Sequence, residues 1–231
     1  MNRFLTLSAL AAALACGSNS GSSNAATSHN NAGGGSNTLL VTADIAAVTT
    51  TATPPAPQTT FTVTVKDGAG ANVSGATVAV RNASVADGVV NLTEVTGTPG
   101  RYTATLASFP SGDFQLSVVK GTDSVLGVVV GGPGMHTITA PALNATVTAG
   151  QPLDVTWSTP AVAKQVSVTT RDMSITAPDT GVYSLTAAQN PARLNQRVTV
   201  VRTNEVEAAG GLLGSRMNVT YTAQINPYNV Q

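Results

Sequence analysis

From Leu39 onward, apolar and polar side chains alternate along the chain. Phe61, Val63 and Val65 alternate with Thr60, Thr62 and Thr64. Tyr102, Ala104 and Leu106 alternate with Arg101, Thr103 and Thr105, and Phe114, Leu116 and Val118 with Asp113, Gln115 and Ser117. Successive side chains of a strand point to opposite faces, so this period predicts strands with one face buried and one wet. Turn clusters separate them: Asp67-Gly68-Ala69-Gly70, Ala86-Asp87-Gly88, Gly97-Thr98-Pro99-Gly100 and Pro110-Ser111-Gly112. Roughly seven strands in about 95 residues fit a β-sandwich.

Gly131-Gly132-Pro133-Gly134 interrupts the pattern, and a domain boundary is expected there. A second run follows. Leu153, Val155 and Trp157 alternate with Asp154, Thr156 and Ser158; Val166 and Val168, Tyr183 and Leu185, and Val198 and Val200 come next. Met217, Val219, Tyr221, Ala223 and Ile225 close the series with its longest clean alternation. No segment sustains a 3.6-residue period. The expected fold class is all-β, with two tandem sandwiches over residues 39–132 and 135–231.

Composition agrees. Charged residues make up 10% of the chain, against a usual figure of about 25%, which argues against long solvated helices. The formal net charge is zero, so nothing draws the chain to phosphate backbones and no nucleic-acid partner is expected. The single cysteine, Cys16, leaves no disulfide to brace the fold.

That cysteine has a distinctive setting. Met1-Asn2-Arg3 is followed by an apolar segment of about a dozen residues, the layout of a secretory signal and too short to span a bilayer. Ala13-Leu14-Ala15-Cys16 resembles a bacterial lipobox. The resemblance implies a signal peptide over residues 1–15, lipid attachment at Cys16, and membrane association through that anchor. Gly17 at the next position implies the outer membrane, with the folded part periplasmic or surface-exposed. Residues 16–38 are uncharged and rich in Ser, Asn and Gly, with nothing to bury, and are expected to be a flexible tether.

Further resemblances concern the fold. "VKDGAGANVSGATVAV" and "GRYTATLASFPSGDFQLSVVKG" resemble carboxypeptidase-regulatory or transthyretin-like domains and bacterial Ig-like domains. "ITAPALNATVTAGQPLDVTWS" looks like the opening of a second Ig-like domain, with Trp157 as its core tryptophan. "DTGVYSL" resembles the corner in which a tyrosine hydroxyl, here that of Tyr183, ties back to the backbone. These likenesses speak to fold and only weakly to function. They imply a structural, adhesive or assembly component of the cell envelope, with a protein partner. The alternative they leave open is a glycan-binding module.

Candidate chemistry is sparse. The two histidines, His29 and His136, lack the further ligands that a zinc site needs at short spacing. Asp67, Asp87, Asp113 and Asp123 fall at turns, where Asp caps backbone amides. No histidine–serine pairing suggests a nucleophile, so neither an enzyme nor a cofactor is expected. A sugar platform would need exposed aromatic rings, and Tyr228 is the one aromatic without an evident inward phase.

One segment stands out. Residues 198–207 and 215–225 read as two strands, and "AAGGLLG" would be the tip between them. Tips are normally polar, yet this one carries Leu212 and Leu213. Either one or both leucines fold back to plug the sandwich, or they form an apolar finger that binds a partner.

Overall fold

The computed structural model describes residues 30–49 and 56–231. Cys16, the signal segment and the first part of the expected tether lie outside the described residues. The strands run in chain order as β1 (Gly34–Gly35), β2 (Leu39–Thr49), β3 (Pro57–Asp67), β4 (Thr77–Arg81), β5 (Val89–Glu94), β6 (Arg101–Leu106), β7 (Asp113–Lys120) and β8 (Asp123–Gly131). They continue as β9 (Ile138–Ala140), β10 (Thr146–Val147), β11 (Leu153–Trp157), β12 (Gln165–Thr170), β13 (Ser174–Ala177), β14 (Val182–Leu185), β15 (Arg193–Glu207) and β16 (Arg216–Val230). Among the described residues, the helical content is one 3₁₀ turn at Ala187–Gln189.

The fold is all-β and built as sandwiches, as the alternation predicts. In the first sandwich β8, β7, β4 and β5 face β6, β3, β2 and the tip half of the β15–β16 hairpin. Its core includes Phe114 and Leu116 from one layer and Phe61, Val63 and Ile45 from the other. Strand β5 crosses between layers: Val89 to Leu92 pair with β4, and Thr93 and Glu94 with β6. In the second, the three-stranded sheet β14-β11-β9 covers β12, β13 and the base half of the same hairpin. Trp157 is buried there among Val166, Val168, Leu185 and Tyr228, with Tyr183 packed alongside.

The two sandwiches are not separate beads. Strands β15 and β16 are fifteen residues each, about 50 Å of extended chain, and they serve both cores. Val198, Val200, Tyr228 and Val230 enter the second core. Val206, Ala208, Met217 and Val219 enter the first. Strand β16 also pairs in parallel with β2, from Arg216 opposite Thr42 to Thr222 opposite Val48. The division at residues 132–135 therefore marks a change of layer and does not separate the cores. The alternation keeps one phase from Met217 to Ile225 although Met217 and Val219 enter the first core and Ile225 packs on the second; it shifts by one residue before Tyr228 and Val230.

The expected tether is also corrected over residues 30–38. These residues lie along the outer edge of β8, where Gly34 and Gly35 pair with Leu126 and Val125. Compositional reasoning counts apolar side chains available for burial, and this segment is held by main-chain bonds and by the polar side chains of Asn30, Ser36 and Thr38.

Candidate docking site at the hairpin tip

The tip turns tightly. Ala208 N–H donates to Ser215 O at 2.9 Å, Gly211 N–H to Ala208 O at 3.0 Å, and Ser215 N–H to Leu212 O at 2.9 Å. It is fastened on both flanks. On one side Leu212 N–H donates to Leu39 O at 2.7 Å, and Val41 N–H donates to the buried Ser215 hydroxyl at 3.0 Å. On the other, Ala209 N–H donates to Ala32 O at 2.9 Å and Asn37 N–H to Gly210 O at 3.0 Å.

This bracing separates the two leucines. Leu212 is half-buried beside Gly68, where its Cδ1 lies 3.8 Å from the position a Cβ would occupy. Leu213 is fully exposed, at 101% of its reference area. Beside them is a notch of about 260 Å³, lined by Ala32, Glu207, Ala209, Leu212, Leu213 and Gly214 among others. The tip thus combines one anchoring leucine with one displayed leucine.

Behind the tip, the hairpin passes a polar knot between the cores. Arg202 and Asn204 continue the inward phase of Val198 and Val200 and are 0% and 1% exposed. The Arg202 guanidinium holds both oxygens of Asp179 and donates to the carbonyls of Pro133 and Ala161. Asn204 Nδ2 donates to Gly131 O at 2.7 Å and Val162 O at 2.8 Å, and its Oδ1 accepts from Lys164 N–H at 2.7 Å. The chain crosses between layers here, and its buried carbonyls need donors that no ladder supplies. Sequence reasoning passed over both residues. The available signal was two polar residues at i+2 and i+4 in an otherwise apolar phase.

Charges in the knot respond accordingly. Burial raises the Asp179 carboxyl, but hydrogen bonds from Arg202 and Trp157, with the Arg202 charge, outweigh it and leave the group below its usual range. His136 is buried edge-on to Tyr221, with ring centroids 5.2 Å apart. Its Nε2 lies 3.1 Å from Val200 O, while Nδ1 is buried without a partner. Burial, reinforced by the nearby Arg202 charge, lowers its pKa to about 4.

Two further expectations are corrected. The tyrosine tie-back occurs at Tyr102, whose hydroxyl donates to Val73 O at 2.8 Å and accepts from Ala76 N–H at 2.8 Å. In the "DTGVYSL" segment the tie is made by Asp179, which also accepts from Trp157 Nε1 at 3.2 Å. Tyr228 has an inward phase after all and is 1% exposed. Val198 pairs with Ile225 and Gln196 with Tyr228, so β16 carries one extra residue between them, and this bulge hides that phase in a strict count of two. With Trp157 and Tyr228 both in the core, neither forms a sugar platform. Among the described residues, no three His, Cys, Asp or Glu side chains cluster as metal ligands.

No protein-family model and no curated protein sequence matches this chain. Among solved structures it is similar to the fibronectin(III)-like modules of Clostridium thermocellum CbhA, at 12% identity and TM-score 0.25, over 81% of this chain and 93% of that one. It is similar to the BSP domain of a biofilm-associated protein at 16% identity and TM-score 0.26, over 82% of this chain and 30% of that one. The first two Ig domains of DIP-gamma match at 10% identity and TM-score 0.27, over 84% and 98%. These likenesses are remote, and the assignment as an all-β sandwich protein rests on the sheets and cores described above.

Proposed function

We propose that this chain is a non-enzymatic lipoprotein of the cell envelope, with a structural, adhesive or assembly role, that docks a protein partner through Leu213 at the hairpin tip. The observation that carries the docking reading is a fully exposed leucine on a tip fastened along both flanks. On a backbone already fastened, Leu213 gives up only its side-chain rotamer freedom on binding, and burying one leucine contributes roughly 1.5–3 kcal/mol. Support for the anchor comes from the residues Ala13-Leu14-Ala15-Cys16.

The docking test is Leu213→Ser. It should leave the melting temperature unchanged and abolish association with the envelope partner. A variant that keeps every association of the wild type refutes docking at this residue. The anchor is tested separately with Cys16→Ser, which should leave the protein unprocessed or move it out of the detergent phase. A water-soluble wild type whose mature terminus is not Cys16 overturns that part.

A further inference from the structure

Residues 31–35 pair with the edge of β8 through the main chain, and polar side chains fasten the two ends: Asn30 Oδ1 accepts from Gly131 N–H at 3.0 Å, Ser36 Oγ accepts from Ser124 N–H at 2.9 Å, and Thr38 Oγ1 donates to Asp123 Oδ1 at 2.7 Å. Asn31 N–H donates to Val129 O at 2.9 Å, Val129 N–H returns a bond to Asn31 O at 2.8 Å, and Ser36 N–H donates to Ser124 O at 2.9 Å. Asn30, Asn31, Gly34 and Gly35 remain exposed. None of these residues belongs to a hydrophobic core. An extended peptide joins a sheet edge in this manner.

The fit also carries a steric code. A Cβ on Gly33 would lie 2.4 Å from Leu126 O, and Gly33 sits at φ +75°. A Cβ on Gly35 would lie 2.1 Å from Ser124 O. A Cβ on Gly34 would meet nothing within 4 Å. From the other side, a Cβ on Gly210 would lie 1.9 Å from the Gly34 carbonyl carbon. The groove between β8 and the tip therefore accepts Gly-x-Gly and rejects side chains at the first and third positions.

We propose that the β8 edge and the adjoining tip form a strand-acceptor site, and that its exchangeable ligand is residues 31–35 of a second copy of this chain. The chain itself supplies the segment that meets the code. Ser36-Asn37-Thr38 joins it to β2 through a residue in the left-handed region, Asn37 at φ 58°; release breaks the Asn37–Gly210 and Thr38–Asp123 bonds but opens neither core. Exchange between copies re-forms the bonds of residues 31–35 in trans. What opposes it is the effective concentration of the chain's own segment, on the order of millimolar for a short connection. The proposal is independent of docking at Leu213, which lies outside the strand contact.

Two full-length variants test it by complementation. Gly35→Val spoils the segment as a ligand but leaves the groove open. Gly210→Val blocks the groove but leaves the segment intact. Each alone should be monomeric by light scattering, and an equimolar mixture should form a heterodimer. Gly34→Ser should behave as wild type. A mixture that stays monomeric, with both chains giving a native β circular dichroism spectrum, overturns the proposal. If either variant fails to fold, wild-type protein is titrated with a peptide of residues 29–38. It should shift the amide resonances of residues 125–129 at a concentration at least tenfold lower than the same peptide carrying Gly35→Val. Equal effects, or none, overturn the proposal.

Discussion

The guanidinium of Arg202 lies fully buried against the carboxylate of Asp179, with Nε 3.0 Å from Oδ1. Through it a residue on the long hairpin grips both the crossover at Pro133 and the loop at Ala161. Removing one partner of a buried pair strands the other's charge and costs about 3–5 kcal/mol. Arg202→Met should lose that much in urea denaturation. Because two carbonyls also lose their donor, Arg202→Met should cost more than Asp179→Asn. A loss below about 1 kcal/mol would show that water replaces the guanidinium without penalty.

His136 gives the fold a defined response to acid. Its ring is neutral in the folded protein down to about pH 4, while in the unfolded chain it takes up a proton near 6.5. Above 6.5 neither state is protonated and stability is unaffected. As pH falls from 6.5 towards 4 the unfolded state binds the proton first, so stability declines, by about 3 kcal/mol in all. Asp179, held below its usual range, weakens the fold only at still lower pH. His136→Gln should flatten the decline between pH 6.5 and 4. An unchanged slope in that variant would place the pH response elsewhere.

Trp157 joins two interactions, its packing in the second core and its hydrogen bond to Asp179. Truncation to Ala should cost about 3–5 kcal/mol. Strands β15 and β16 belong to both cores, so the loss should be felt across the molecule as one transition. Hydrogen exchange in β2 and β3 should accelerate along with that in β11 and β12. A two-step melt with β2 and β3 still protected after the first step would show that the cores unfold independently.

The two tip leucines should respond in opposite ways. Leu212 is half-buried, and Leu212→Ser should lower the melting temperature by a few degrees, equivalent to about 1–2 kcal/mol. Leu213→Ser should not move it. Equal effects on melting would mean that both side chains pack against the sandwich in solution.

Tyr102→Phe removes a hydroxyl that serves both Val73 and Ala76. The variant leaves two backbone groups short of a partner and should cost about 1–3 kcal/mol without disturbing the core. A neutral result in chemical denaturation would mean that water reaches both groups.

Much of the architecture was legible in the order of residues. Phe61-Thr62-Val63 and Met217-Asn218-Val219 alternate because strand geometry alone sends neighbours to opposite faces, whatever lies beyond. The burial of Trp157 followed from its phase with Val155. Which core a buried face belongs to was not legible. Val200 and Val206 share a face of one strand yet enter different cores, and only the stacking of β8 or β11 over the hairpin decides between them. Arg202 and Asn204 looked out of place because their partners are carbonyls 69 and 73 residues away in sequence. Residues 30–38 looked unfit to fold because they bury no apolar side chain; main-chain bonds and the exposed polar side chains of Asn30, Ser36 and Thr38 hold them, and composition does not distinguish these from solvated groups. Leu212 and Leu213 are adjacent and chemically identical; a hydrogen bond from Leu212 to Leu39 turns one inward and leaves the other in water. Local chemistry determined the strands and the buried faces. Contacts between residues far apart in sequence decided what those faces bury against, because strand pairing and layer stacking depend on where the chain returns.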